Sequence, residues 1–156
     1  MISVNITSCN YSDPAHLDAL VSLINAYIDD EMGGGKSLSQ PEQRRLIEGL
    51  SNHPKSIVLL AETGGVFIGL LTAFENFSTF TTQPMVNIHD VFVSKEYRRK
   101  GVGRQLMNAV ISEAENRGSS RITLEVRNDN VSAQNLYRSL GFEDTDPSMF
   151  YWRKYL

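Results

Sequence analysis

Val91-Phe92-Val93-Ser94-Lys95-Glu96-Tyr97-Arg98-Arg99-Lys100-Gly101-Val102-Gly103-Arg104 runs from an apolar stretch, through a basic turn with glycines, into a new hydrophobic period. Upstream, Met85 to Val93 reads as a strand. Downstream, Val102, Leu106, Val110 and Ala114 recur at helical spacing between Gly101 and Arg117, and Gly118 is the stop. A strand-turn-helix order presents the unpaired N–H groups of a helix start, at the positive end of its dipole, to an anion in the turn. Glycine lets the backbone approach such a ligand closely. Between Lys95 and Arg104 there are five basic residues and one acidic residue, although the chain carries a net charge of −3. The positive charge is therefore local. General nucleic-acid binding, which draws on a surplus of Lys and Arg, is not expected. Read alone, the same residues also fit a solvated basic turn.

The other elements order themselves around this centre. Ile2, Val4 and Ile6 alternate as a half-buried strand does. Asp13-Pro14 reads as a helix cap with proline in the first turn, and Leu17, Leu20, Val21, Ile24 and Ile28 continue that helix to about Asp30. Pro41 opens a second helix bearing Leu46, Ile47 and Leu50, which stops before Pro54. Ile57 to Glu62 and Val66 to Phe74, joined by Thr63-Gly64-Gly65, read as a hairpin. With Met85 to Val93 they make three consecutive antiparallel strands. Ile122, Leu124 and Val126 alternate as a further strand. Ser132 to Leu140 is a short helix closed by Gly141, and two last strands are expected around Phe142 and over Phe150 to Tyr155. The class is α+β with a central mixed sheet.

At 156 residues the chain suits a single domain over 1–156, and its 41% hydrophobic, 21% charged composition is that of a globular protein. Cys9 is alone, which leaves no intrachain disulfide or cysteine-rich zinc site, and no metal is expected. The longest apolar runs, such as Ile57 to Ala61, are too short to cross a bilayer, and the N-terminus lacks a basic region followed by an apolar one. A cytoplasmic protein without membrane contact is expected.

The turn at Arg98 to Gly103 resembles the signature of the GNAT superfamily of acyl-CoA-dependent N-acetyltransferases: Gln or Arg, two residues, Gly, one residue, Gly or Ala. Asn130-Val131-Ser132-Ala133 and Leu136-Tyr137, followed by Gly141-Phe142, resemble the family's second motif at the customary separation. The resemblance implies an α/β/α layered fold. Its mixed, mostly antiparallel sheet splays into a V between the fourth and fifth strands and is flanked by about four helices. It further implies acetyl-CoA as cosubstrate, with its pyrophosphate on Arg98, Arg99, Lys100, Gly101, Val102, Gly103 and Arg104. Val91 and Val93 would pair with pantetheine, Asn130 and Tyr137 would flank the thioester, and Asn135 would join the cofactor contacts.

Acetyl transfer needs a neutral amine, a polarised thioester carbonyl and a proton for the leaving thiolate. The Val91 amide is the oxyanion donor that the family implies. Tyr137 is the candidate general acid, although Ala133, Leu136, Tyr137 and Leu140 also form a stripe that core packing would explain. His89 is the candidate base, since an ordinary imidazole titrates near ~6.5. Strand alternation puts Asn87 on its face and Asp90 on the other, but a bulge would invert that parity, so Asp90 stays as the alternative.

On the acceptor side, Asp29, Asp30, Glu31 and Glu75 suit a cationic small-molecule amine, although a helix end and a hairpin exposed to water are the plainer reading of each. Phe74, Phe77 and Phe80 read as an aromatic wall or as hairpin core. Gly33-Gly34-Gly35-Lys36-Ser37 is not a nucleotide P-loop, because Asp30 stands where its first glycine is required. It reads as a mobile lid or a linker. A peptide acceptor, or a sensor that binds acyl-CoA without turnover, are the competing readings. A homodimer through the C-terminal strands, with Tyr151, Trp152 and Tyr155 in contact, is compatible with the resemblance, as is packing of those residues within the monomer.

Overall fold

The computed structural model describes residues 2–156, which fall into two compact units, the first ending at Glu125 and the second spanning Val126–Leu156. In the first unit, β1 (Asn5–Ser8), β2 (Ser56–Thr63), β3 (Val66–Ser78), β4 (Gln83–Val93) and β5 (Ile122–Leu124) form one open sheet in that order. Neighbours from β1 to β4 are antiparallel, and β5 runs parallel to β4. α1 (Pro14–Ile28) and α2 (Gln40–Asn52) precede β2, while α3 (Val102–Asn116) carries the chain from β4 to β5. α4 (Val131–Ser139) is the helix of the second unit.

Local chemistry accounts for the boundaries. Asp13 Oδ1 accepts the Ala15 N–H at 2.9 Å and Pro14 takes the first helical position, so α1 starts where a cap and a fixed φ coincide. The Glu42 carboxylate accepts from both the N–H and the hydroxyl of Ser39, each at 2.7 Å, which fixes the start of α2. Gly64 and Gly65 have φ of 57° and 80°, the two left-handed positions that a two-residue hairpin between paired Thr63 and Val66 demands.

Helices cover both faces of the sheet. Leu20, Leu23 and Ile24 of α1, with Leu50 of α2, pack against Val58, Leu60, Leu70 and Phe92. Gly69, one residue from Leu70, points the other way: a Cβ there would meet Leu106 of α3 at 3.2 Å. Leu106, Met107 and Val110 are fully buried. Each such side chain contributes about 1.5–3 kcal/mol by leaving water, which holds α3 and the turn before it on the sheet.

The α/β/α layering, the hairpin and the four helices match the expected order. The splay is also present, since β4 pairs with β5 only over Val86–Ile88 and then continues without it. Two expectations fail. β5 stops at Leu124 and does not reach Val126, and residues 143–156 form neither helix nor strand. Alternation in Phe150 to Tyr155 reports side-chain character only, whereas a strand also needs a neighbour to take its backbone hydrogen bonds. Tyr151, Trp152 and Tyr155 are 71–85% exposed, Trp152 with its ring edge-on to Phe150 at 6.4 Å and Tyr155 beneath the Arg153 guanidinium at 5.8 Å. No described helix is long and apolar enough to cross a membrane.

Candidate active site

The site is built on the end of β4. Thr72 stands opposite Asp90 but Ala73 stands opposite Ile88, so His89 is the extra residue of a bulge. The bulge inverts the parity that simple alternation gives. Asp90 shares the face of Thr72, and the Thr72 hydroxyl donates a short hydrogen bond to its carboxylate. His89 is exposed, with its ring edge against Phe74 at 4.7 Å between centroids, and His53 meets the same Phe74 ring at 4.8 Å. His53 Nδ1 accepts the Lys55 N–H at 3.1 Å.

Beyond the bulge, Ser94 N–H donates to Ile68 O at 2.9 Å and so sets which residues of β4 face β3. By alternation the N–H and C=O groups of Val91 and Val93 face the opposite edge. There β5 has already ended, opposite Ile88. Asn87 Nδ2 donates to Thr123 Oγ1 at 2.9 Å, which pins the two strands together at the last pairs before they part. The Val93 carbonyl accepts Arg98 Nε at 2.9 Å, leaving both polar groups of Val91 and the amide of Val93 as the edge open to an extended ligand.

A single 3-10 turn, Lys95–Tyr97, then leads to the basic loop. Arg99 is left-handed at φ 58°, and so is Gly101, the cap of α3, at φ 87°. Gly101 has no side chain to accept from the first turn of α3, so those amides suit an anion. The donor set fits a pyrophosphate. Ile2 N–H donates to Lys100 O at 3.1 Å and Gln105 Nε2 to Ile2 O at 2.9 Å, so the loop is also strapped from the N-terminal side. Arg99 and Lys100 are exposed, with the Lys100 ammonium 5.4 Å over the Tyr97 ring. Gly103 and Arg104 are half-buried in the first turn of α3. Val102, 99% buried, is an anchor of that turn by its side chain.

Arg98 is placed differently from its neighbours. Its guanidinium points inward, 2.7 Å from Asp30 Oδ2 and 5.6 Å over the Phe92 ring. Asp30 is thereby removed from the acceptor acids. Burial raises its carboxyl pKa, but the hydrogen bonds from Arg98 and Met32 and the charges of Arg98 and Lys95 outweigh burial, so the net shift is downward. Glu75 is also committed, to Lys55 and, at 3.0 Å, to Arg117. Asp29 accepts the Ser37 hydroxyl. Phe77 and Phe80 are 63% and 94% exposed and make no hairpin core, while Phe74 is occupied by the two histidines. Burial, then the charge of Asp13, pushes the Cys9 thiol up to about 11, which keeps it protonated and unreactive.

In the second unit Asn130 caps α4, its Oδ1 accepting the Ala133 N–H at 3.2 Å. Tyr137 is half-buried with its ring 6.0 Å from that of Phe142, and Asn135 is exposed on α4. No spacing in the sequence announces the Asp30–Arg98, Thr72–Asp90 or Asn87–Thr123 pairs. Each depends on strand register or on a contact far along the chain.

An unpaired strand edge followed by a helix start with uncapped amides suits an extended, phosphate-bearing ligand. Residues 20–142 match the Acetyltransferase (GNAT) family. The uncharacterized N-acetyltransferase YhfO of Bacillus subtilis is 32% identical over 141 residues, covering 90% of this chain and 91% of that protein. An aminoglycoside N(6')-acetyltransferase type 1 of Salmonella typhimurium is 27% identical over 137 residues, 82% of this chain and 93% of its own. Among solved structures, AAC(6')-Iy in complex with the bisubstrate analog CoA-S-monomethyl-acetylneamine superposes with a TM-score of 0.79 over 98% of this chain and 99% of its own; at 22% identity this likeness is one of fold. The chain belongs to the GNAT family of N-acetyltransferases, which use acetyl-CoA as the acyl donor.

Proposed function

We propose that the chain transfers acetyl from acetyl-CoA to a primary amine of a small molecule, by direct attack within a ternary complex. The observation that carries this reading is the succession of Val91 and Val93 on an unpaired strand edge and the Gly101 cap of α3, which places backbone donors at two stations along such a donor. Val91 and Val93 take pantetheine, and Arg99, Lys100, Gly101, Val102, Gly103 and Arg104 take the pyrophosphate, chiefly through amides. Arg98, engaged by Asp30, supports the loop. Asn130 and Asn135 keep the roles that the family resemblance gives them.

In the reaction the amine nitrogen bonds to the thioester carbon while the carbon–sulfur bond breaks. Val91 N–H stabilises the oxygen that gains charge. His89 receives the amine proton, directly or through water, and Tyr137 supplies one to the leaving sulfur. Asp90 is the alternative base, but its carboxylate already accepts from Thr72, which favours His89. The whole of 1–156 serves as one transferase domain in the cytoplasm.

The similarity to an aminoglycoside acetyltransferase, over most of both chains, supports a small polyamine-like acceptor. The test is acetyl-CoA-dependent thiol release across a panel of aminoglycosides, polyamines, amino acids and short peptides. Turnover confined to small amines is expected. Turnover confined to peptide N-termini would move the reading to a protein acetyltransferase, and acetyl-CoA binding without turnover on any amine would make the chain a sensor.

A further inference from the structure

Among the described residues Asp30 is the only acidic or basic residue that is buried, with its side chain 3% exposed. A carboxylate so placed persists only when its charge is compensated. Its partner is 68 residues away in sequence: Arg98 Nη2 lies 2.7 Å from Asp30 Oδ2. The same guanidinium donates through Nε to Val93 O at 2.9 Å. One planar fork thus joins Asp30 to Val93, the last residue of β4, and Arg99, which follows Arg98, begins the left-handed passage to Gly101.

At its other end Asp30 organises the glycine corner. Its Oδ1 accepts the Met32 N–H at 3.1 Å, and its carbonyl accepts the N–H groups of Gly33 at 2.8 Å and Gly34 at 3.2 Å. Gly35 N–H closes the corner on Ile28 O at 3.1 Å. The three glycines are a tight turn hydrogen-bonded to the end of α1 and not a loose linker. Gly33 has no room for a side chain, since a Cβ would fall 1.9 Å from Tyr27 O.

We propose that Asp30 is a positioning residue for the acyl donor: through Arg98 it sets the turn that leads to Gly101, and it couples that turn to the glycine corner at Gly33. This rests on the reading that residues 99–104 hold the pyrophosphate. Removing the carboxylate charge leaves a guanidinium without its anion. Arg98 then turns towards solvent, releases Val93 O, and loosens the loop that the donor must find in place. Distorting the glycine corner moves Asp30 and has the same effect with every charge retained. By linkage, a ligand that binds the corner more tightly in one of its two arrangements alters donor affinity, and the donor alters that ligand's affinity in return.

The test measures acetyl-CoA affinity by titration calorimetry, and amide exchange over residues 99–105 in the free protein. The variants are Asp30→Asn, Asp30→Glu, Gly33→Ala, Gly101→Ala and Val58→Ala. Roughly fivefold weaker binding and faster exchange in the loop are expected for Asp30→Asn and Gly33→Ala, with partial recovery in Asp30→Glu. Val58→Ala removes core packing from the same face of the sheet and should lower stability without changing affinity. Should Asp30→Asn or Gly33→Ala fail to fold, Asp30→Glu, which keeps the charge but displaces the ion pair, decides the matter: affinity and loop exchange identical to wild type overturn the coupling. Wild-type affinity in Gly33→Ala, or an equal loss in Val58→Ala, overturns the coupling. If Gly101→Ala binds acetyl-CoA as tightly as wild type, the assignment of the loop to pyrophosphate fails instead.

Discussion

His89 and Asp90 are adjacent in sequence, yet the bulge gives them unlike surroundings. Asp90 stands in the ladder beside Thr72 and accepts its hydroxyl, while His89 is free of ladder pairing and rests on Phe74. His89→Ala should therefore lower kcat/KM by about 10²–10⁴ and remove one limb of the pH-rate profile, as loss of a general base does. A profile with both limbs intact would exclude His89 as the base. Asp90→Asn should instead act mainly on stability, lowering it by about 1–3 kcal/mol through the altered pairing with Thr72, and urea denaturation reads that directly. For Tyr137→Phe the expectation is unchanged acetyl-CoA affinity with turnover reduced by about 10² or more. Wild-type turnover would leave Tyr137 as packing against Phe142. Residue types and local motifs pointed to all three side chains, because chemistry selects them. Which of His89 and Asp90 is engaged was not legible, because it depends on one extra residue in a strand pairing.

At the scale of elements, legibility followed locality. α1, α2 and α3 were readable because their signals are local: Asp13 before Pro14, Pro41 in the first turn of α2, and Gly118, left-handed at φ 69°, after α3. The Gly64-Gly65 hairpin was readable for the same reason. Strands at the C-terminal end were misread since alternation in residues 150–155 carries no information about a pairing partner. The ion pairs of Asp30 and Glu75 were not legible either, because their arginine partners come from distant elements. The junction of β4 and α3 sharpens what a local signal means. Gly101 is required there by its φ of 87°, independent of any ligand. Gly101→Ala should cost about 1–2 kcal/mol in stability from left-handed strain alone. Its effect on acetyl-CoA affinity comes in addition, so the two losses need separate measurement by denaturation and by calorimetry.

For the whole first unit, the sheet is tied to its flanking segments by carboxylates held in the ionised state. Glu75 of β3 is bound to Lys55 beside β2 and to Arg117 at the end of α3, while Asp30 joins the end of α1 to the loop after β4. Hydrogen bonds from Lys55 and then Arg117, aided by their charges, outweigh the opposing effect of burial and bring the Glu75 carboxyl below its ordinary value. A carboxyl whose folded pKa is depressed binds a proton more readily when unfolded. Its contribution is complete above the unfolded-state pKa, near ~4.3 for Glu, and is lost as pH falls through the lower folded value. Stability should therefore be insensitive to Glu75 titration near neutrality and fall below about pH 4. Glu75→Gln keeps the shape but removes the charge, leaving Arg117 only Glu113, at 2.8 Å, as its carboxylate partner. The variant should be less stable than wild type by about 1–3 kcal/mol at pH 7, and the gap should close as the acid limb is crossed, since wild type loses there what the variant never had. Urea denaturation of both proteins at pH 7, 5, 4 and 3 measures it. A gap that persists undiminished to pH 3 would show that the substitution acts through packing, and that the ion pairs contribute nothing specific to the acid limb.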